Sequence, residues 1–140
     1  FASAIGASLA IINKHRPSPN ESSVTHVVGK VAGKTAVLYD DLIDTGGSIA
    51  NSAKTLMDNG AKQVYAYCTH PLLSKNAVEK LEASPLVKLV VTNSIPLKRA
   101  SKKIEVVSIA PMLASAIYAI YHDKSVSELL TFKPQETLLV

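Results

Sequence analysis

The stretch that most constrains this chain is YDDLIDTGGSIANSAKTLMDNG, residues 39–60. The apolar run TAVLY, residues 35–39, predicts a buried strand stopped by two aspartates. A glycine-rich turn follows. A helix is then predicted over residues 48–59, with Ile49, Ala53, Leu56 and Met57 on one face and Gly60 just past its end. A strand that enters a helix through such a turn belongs to an open α/β sheet, where ligands sit beyond the carboxyl ends of the strands.

The same rhythm runs along the chain. Strands are predicted over residues 9–13, 24–31, 35–39, 63–68, 87–92 and 104–109. Helices are predicted over residues 75–83, with Ser74 as N-cap, and over 111–121, with proline in the first turn; residues 126–130 add a short last helix. The start, FASAIGASLAIINK, reads as a helix end running into a strand. KHRPSPNESS, residues 14–23, is polar with two prolines and reads as a loop. Valine-, isoleucine- and leucine-rich strands between helices predict an α/β fold: a mostly parallel sheet flanked by helices on both faces. One domain over residues 1–132 is expected, with a loosely held tail over 133–140.

The loop between strand and helix carries the chemistry. A helix N-terminus offers unpaired N–H groups and the positive end of a dipole. Gly46 and Gly47 let main-chain amides approach an anion, and Thr45 and Ser48 add hydroxyl donors. No Gly-Lys-Ser/Thr follows at the spacing of a Walker A loop. Asp40 and Asp41 suit vicinal sugar hydroxyls or Mg2+. A phosphate cradle with hydroxyl acceptors just upstream reads as a pentose 5-phosphate site. Turn and cap chemistry accounts for Asp40, Asp44 or Ser48 taken singly. It does not account for the nonamer, since capping needs neither paired acids nor paired glycines.

Composition narrows the classes. Apolar residues make up 47% of 140, enough for a core. No apolar run reaches the about 20 residues of a spanning helix, so no membrane role is expected. The net charge of +4 is spread over lysines, with Lys98, Arg99, Lys102 and Lys103 the densest group, and aromatic residues are 5% with no tryptophan. Such a surface suits small phosphorylated ligands rather than nucleic acid. The lone Cys68 excludes an internal disulfide and fits a reducing, cytoplasmic setting.

DDLIDTGGS resembles the phosphoribosyl-diphosphate (PRPP) loop shared by type I phosphoribosyltransferases and ribose-phosphate pyrophosphokinases (PRPP synthetases). LAIINKHRP, YAYCTHPLLS, VVTNSIP and SIAPMLASAIYAIYHDKSVSELL resemble the carboxy-terminal half of the synthetases. The resemblance implies a type I phosphoribosyltransferase-like fold. It also implies diphosphoryl transfer from ATP to the 1-hydroxyl of ribose 5-phosphate, giving PRPP and AMP, with Mg2+. Asp44, Thr45, Gly46, Gly47 and Ser48 would hold the 5-phosphate; Asp40 and Asp41 would meet the ribose hydroxyls or the metal. Lys14 and Arg16 match the basic catalytic-loop residues, with Arg16 also toward substrate. By composition alone, both are ordinary solvated cations. Cations there make chemical sense, because phosphoryl transfer is catalysed mainly by positioning and charge stabilisation. His15 receives no role.

Other residues take plainer readings. Cys68-Thr69-His70 is not read as a nucleophile–base pair, because neighbouring strand residues face opposite ways. Cys68 is expected in the core and His70 at the cleft. His26 and His122 are expected to be surface or core residues rather than metal ligands, and the group from Lys98 to Lys103 a solvated loop. Residues 125–130 resemble a family element near a regulatory nucleotide site, but no effector site is assigned. The chain lacks an initiating methionine, and the family's ATP-binding half is expected upstream. The fragment alone is therefore expected to be inactive, and assembly into dimers or hexamers is implied by resemblance. A non-catalytic synthetase-associated regulatory protein is the main alternative; a phosphoribosyltransferase is a third. The intact DDLIDTGGS, Lys14 and Arg16 favour the enzyme over the first, and the synthetase-like flanks disfavour the second.

Overall fold

The computed structural model describes residues 2–15 and 24–130. Two units are distinct. One comprises residues 10–107, and the other joins residues 1–9 to 108–140.

The first unit opens with an antiparallel hairpin, β1 (Ile11–His15) and β2 (Val24–Val28), in which Ile11 pairs with Val28 and Lys14 with Thr25. The polar loop expected from Lys14 does not start there: Lys14 and His15 belong to the strand, and residues 16–23, with Arg16, lie outside the described residues. Next come β3 (Thr35–Ile43), α1 (Gly47–Asp58), β4 (Gln63–Pro71), α2 (Ala77–Ala83), β5 (Lys88–Thr92) and β6 (Ile104–Val107). The last four strands form one sheet in the order β3-β4-β5-β6, every neighbouring pair parallel. This is the expected α/β architecture.

Alternation sets the core. Val64, Ala66 and Cys68 of β4 and Leu89 and Val91 of β5 point one way and are buried. Onto them pack Ile49, Ala53 and Leu56 of α1, spaced as one helical face, and Ala77, Val78 and Leu81 of α2. At about 25 cal/mol per Å2 of apolar surface, this shared layer is the main stabiliser of the unit. Both helices lie against this one face within the unit. The opposite face carries Val37, Tyr39, Tyr67 and Val107, all exposed, and Met57 is likewise exposed on α1.

The end of α1 shows why the helix stops. Gly60 has φ +85°, the left-handed conformation that a side chain resists. Its amide donates to Met57 O at 2.9 Å, and the Ala61 amide donates to Leu56 O at 3.0 Å. These two bonds form a Schellman motif, and buried Ala61 and Leu56 supply its apolar contact.

Several boundaries differ from expectation: β1 lies over Ile11–His15, β2 ends at Val28 and β4 runs on to Pro71. β3 runs through Asp40 and Asp41 to Ile43 rather than stopping at Tyr39, because β4 extends beside it to Pro71 and continues the ladder. α2 starts at Ala77, with no side-chain cap bond, because Ser74 is engaged elsewhere. β6 ends at Val107, two residues early.

The second unit holds a single 3-10 turn at Ser3–Ile5, α3 (Ala110–Tyr121) with proline in its first turn, and a 3-10 turn at Ser127–Leu130. His122 caps α3 and packs against the Tyr118 ring, centroids 4.3 Å apart. The tail over residues 133–140 lies outside the described residues. No helix among them is long and apolar enough to cross a membrane.

Candidate functional site

β3 delivers Asp40 and Asp41 to the carboxyl edge of the sheet, and the loop from Asp44 to Gly46 carries the chain into α1. Asp40, Asp41, Asp44, Thr45, Gly46, Gly47 and Ser48 are thus brought together at one edge. Lys14 sits in β1 of the hairpin, and Arg16 lies outside the described residues.

The loop's main chain is tethered one carbonyl at a time. Ile43 O accepts from Leu73 N at 3.0 Å, and Asp44 O accepts from Ser74 N at 2.9 Å. Thr45 O accepts from Lys80 Nζ at 3.3 Å, and Gly46 O accepts from Ala50 N at 3.0 Å as the first bond of α1. In a planar trans peptide the C=O and the following N–H point in opposite directions. The amides of Asp44, Thr45, Gly46 and Gly47 therefore face away from the four donors. None of them meets a protein acceptor among the described residues. With the first free amides of α1 they form a run of donors at the positive end of the helix dipole, which is what an anion needs.

The two glycines serve different ends. Gly46 has φ +72° and is buried, and a Cβ there would come within 3.2 Å of Ala77 O. Backbone conformation and the approach of α2 both require glycine at this position. A Cβ on Gly47 would meet nothing within 4 Å. The fold leaves that position open.

The acids are arranged as follows. Asp40 is half-buried and its Oδ1 accepts from the Asp41 amide at 3.0 Å; Asp41 is exposed. Ser74 Oγ donates to Asp44 Oδ1, binding that carboxylate to the segment between β4 and α2. Among the described residues there is no group of three or more His, Cys, Asp or Glu arranged to hold a metal. Sequence reasoning missed the parts played by Ser74 and Lys80. Ser74 looked like a local cap, and a lysine on a helix carries no signal that it reaches a carbonyl 35 residues earlier.

Cys68 and His70 follow in β4. Being two residues apart, they carry the same strand parity, so opposite faces do not separate them. Hydrogen bonding does. The Cys68 thiol is buried and is shared between Asp41 O at 3.6 Å and His70 O at 3.4 Å. Burial pushes it above its ordinary value of 9.0; the main-chain bonds oppose this and the Asp40 and Asp41 charges add to it. The His70 ring turns to Ser94, with Nδ1 3.0 Å from Oγ. Ser94 Oγ donates to Thr69 O at 2.8 Å, an arrangement that in the neutral ring makes Nδ1 the donor to Ser94 and leaves Nε2 as the acceptor. Exposed His70 thus presents an acceptor at the sheet edge.

The basic group divides. Arg99 pairs with Glu79, and Lys103 Nζ donates to Ser84 O at 2.7 Å, so both fasten the β5–β6 connection to the α2 region. His26 is exposed on β2.

Comparison with known proteins adds four findings. The family described as the phosphoribosyl synthetase-associated domain matches residues 7–131. The chain is 51% identical over 131 residues to the ribose-phosphate pyrophosphokinase of Bacillus caldolyticus, covering 92% of this chain and 42% of that protein. It is 50% identical to the ribose-phosphate pyrophosphokinase of Clostridium acetobutylicum, covering 92% of this chain and 41% of that one. Its structure resembles the crystal structure of phosphoribosylpyrophosphate synthetase from Mycobacterium smegmatis with a TM-score of 0.79 and 38% identity, over 87% of this chain and 40% of that one. The chain thus spans about two fifths of the length of these relatives.

Proposed function

The chain belongs to the phosphoribosyl synthetase-associated domain family, and on that premise we propose that it supplies the ribose 5-phosphate side of a ribose-phosphate diphosphokinase. The reaction moves the diphosphoryl group of ATP onto the 1-hydroxyl of ribose 5-phosphate, giving PRPP and AMP. One observation carries the reading: the run of unpaired amides from Asp44 to Gly47, set at the start of α1 by the tethered carbonyls. That run, with the hydroxyls of Thr45 and Ser48, holds the 5-phosphate. Asp40 and Asp41 lie upstream, on the side from which the sugar hydroxyls would be met.

Mg2+ fits the donor set here. Carboxylate oxygens are its preferred protein ligands, and it is ordinarily held by one or two of them with water and substrate phosphates. Asp40 and Asp41 each offer such a carboxylate, one on either side of β3, so a single one of them would meet the ion. When bound, the ion would neutralise phosphate charge. Lys14 and Arg16 of the catalytic segment supply cationic charge toward the transferring group. In this reading ATP is held mainly by groups outside these residues, and the enzyme works in the cytoplasm as a homo-oligomer built from dimers. These residues span about two fifths of the length of the relatives and would not turn over ATP alone.

The direct test is an amide NMR titration of the 15N-labelled chain with ribose 5-phosphate, and with ribose as control. Shifts at Asp44 through Ser48 with the phosphate, and none with ribose, are expected. Shifts elsewhere with this loop silent would reject the site. In the full-length protein, Lys14→Ala should sharply reduce AMP release from ATP in the presence of ribose 5-phosphate; unchanged turnover would reject Lys14 as a catalytic cation.

A further inference from the structure

Of the four tethers on the loop, three come from main-chain amides: Leu73, Ser74 and Ala50. The fourth is a side chain, the ammonium of Lys80 on α2, which donates to Thr45 O. This difference matters because of where it falls. The peptide between Thr45 and Gly46 precedes a glycine at φ +72°. Glycine tolerates both hands of the backbone, so this peptide plane is weakly constrained by its own residues, and unlike the Gly46–Gly47 plane it is not fixed by a helix bond. Rotating it would swap the Thr45 carbonyl for the Gly46 amide. The anion would then face a carbonyl oxygen in place of a donor.

Lys80 is placed to prevent that rotation. It is half-buried on the second turn of α2. It takes part in none of the ion pairs among the described residues, although Glu79 and Glu82 flank it in sequence. An ammonium spent on a carbonyl rather than a carboxylate forms a charge-assisted bond that fixes the direction of a peptide dipole. α2 itself is held close by the contact of Gly46 with Ala77.

We infer that Lys80 is a positioning residue for ribose 5-phosphate binding: by holding the Thr45 carbonyl it aims the Gly46 amide into the anion site. The inference rests on the sugar-phosphate reading of this loop and adds to it a residue outside the loop.

The test compares the 140-residue chain with Lys80→Met and Lys80→Arg, using ribose 5-phosphate as the probe in calorimetry and amide NMR. The parent chain is titrated first. If it does not bind, the sugar-phosphate reading fails, and the role of Lys80 fails with it. If it binds, Lys80→Met should weaken affinity about tenfold, the scale of one charge-assisted bond. It should also shrink the ligand-induced shift of the Gly46 amide, with the melting temperature little changed. Lys80→Arg, which keeps a cationic donor, should restore both. Unchanged affinity and an unchanged Gly46 shift in Lys80→Met would overturn the role while leaving the site itself standing. If Lys80→Met does not fold, Lys80→Arg decides: parent-like affinity and Gly46 shift support the role, and loss of both in a folded variant overturns it.

Discussion

Ser74 meets Asp44 twice: its amide donates to the Asp44 carbonyl at 2.9 Å, and its hydroxyl donates to the Asp44 carboxylate. The pairing draws the carboxylate to the side opposite the Thr45 amide. A free carboxylate beside a phosphate would repel it. Ser74→Ala should therefore weaken ribose 5-phosphate binding about threefold, the scale of an exposed polar contact, while costing at most about 1 kcal/mol of stability. Calorimetry and chemical denaturation measure the two separately; equal affinity in the variant would show that the Asp44 charge is irrelevant to the ligand.

Gly46 and Gly47 should respond oppositely to alanine. Gly46→Ala places a side chain at φ +72° and against Ala77 O, and should destabilise the chain by roughly 1–3 kcal/mol. Gly47→Ala puts a methyl in open space at a helical position, where alanine is favoured by roughly 0.5–1 kcal/mol. Its stability should hold or rise while ribose 5-phosphate affinity falls. A destabilised Gly47→Ala, or one that binds normally, would contradict the division of labour.

The buried Cys68 thiol, raised above 9.0, sets a pH dependence. Above pH 9.0 the unfolded chain releases this proton while the folded chain retains it, so the thiol's contribution is full below 9.0 and is lost as pH rises through the folded value. In denaturation from pH 8 to 10.5, the parent should lose more stability than Cys68→Ala. Parallel pH profiles would mean that the thiol is not protected. The same burial predicts slow reaction with thiol reagents at neutral pH.

The bond between His70 and Ser94 fixes a tautomer that nitrogen NMR can read. At a pH where the ring is neutral, Nδ1 should show the shift of a protonated nitrogen and Nε2 that of a bare one. Ser94→Ala should shift the ring toward the Nε2-protonated form. Finding that form in the parent would mean that Ser94 donates to the ring instead.

Much of this architecture could be read from local pattern. The runs around Thr35, Gln63, Lys88 and Ile104 and the helix ending at Asp58 arise from alternation, helical spacing and a glycine stop, all encoded within a few residues. What escaped depended on distant partners. Asp40 and Asp41 look like strand breakers, but β4 continues beside them and keeps the ladder going. Ser74 has the chemistry of a cap, but Asp44, 30 residues away, claims its hydroxyl. The nonamer reads as an anion site through its glycines. It did not announce Lys80, because a helical lysine looks the same in sequence whether it faces water or a carbonyl.

The tethered loop also determines how such a site can be found by mutation. Its donors are peptide nitrogens, which no substitution except proline removes. Alanine replacement of Asp44, Thr45 and Ser48 would strip away carboxylate and hydroxyls yet leave the main-chain amides intact, and would under-report the loop's importance. Drift in its side chains is tolerable for the same reason. The vulnerable positions are the glycines and the remote residues that keep the backbone turned the right way.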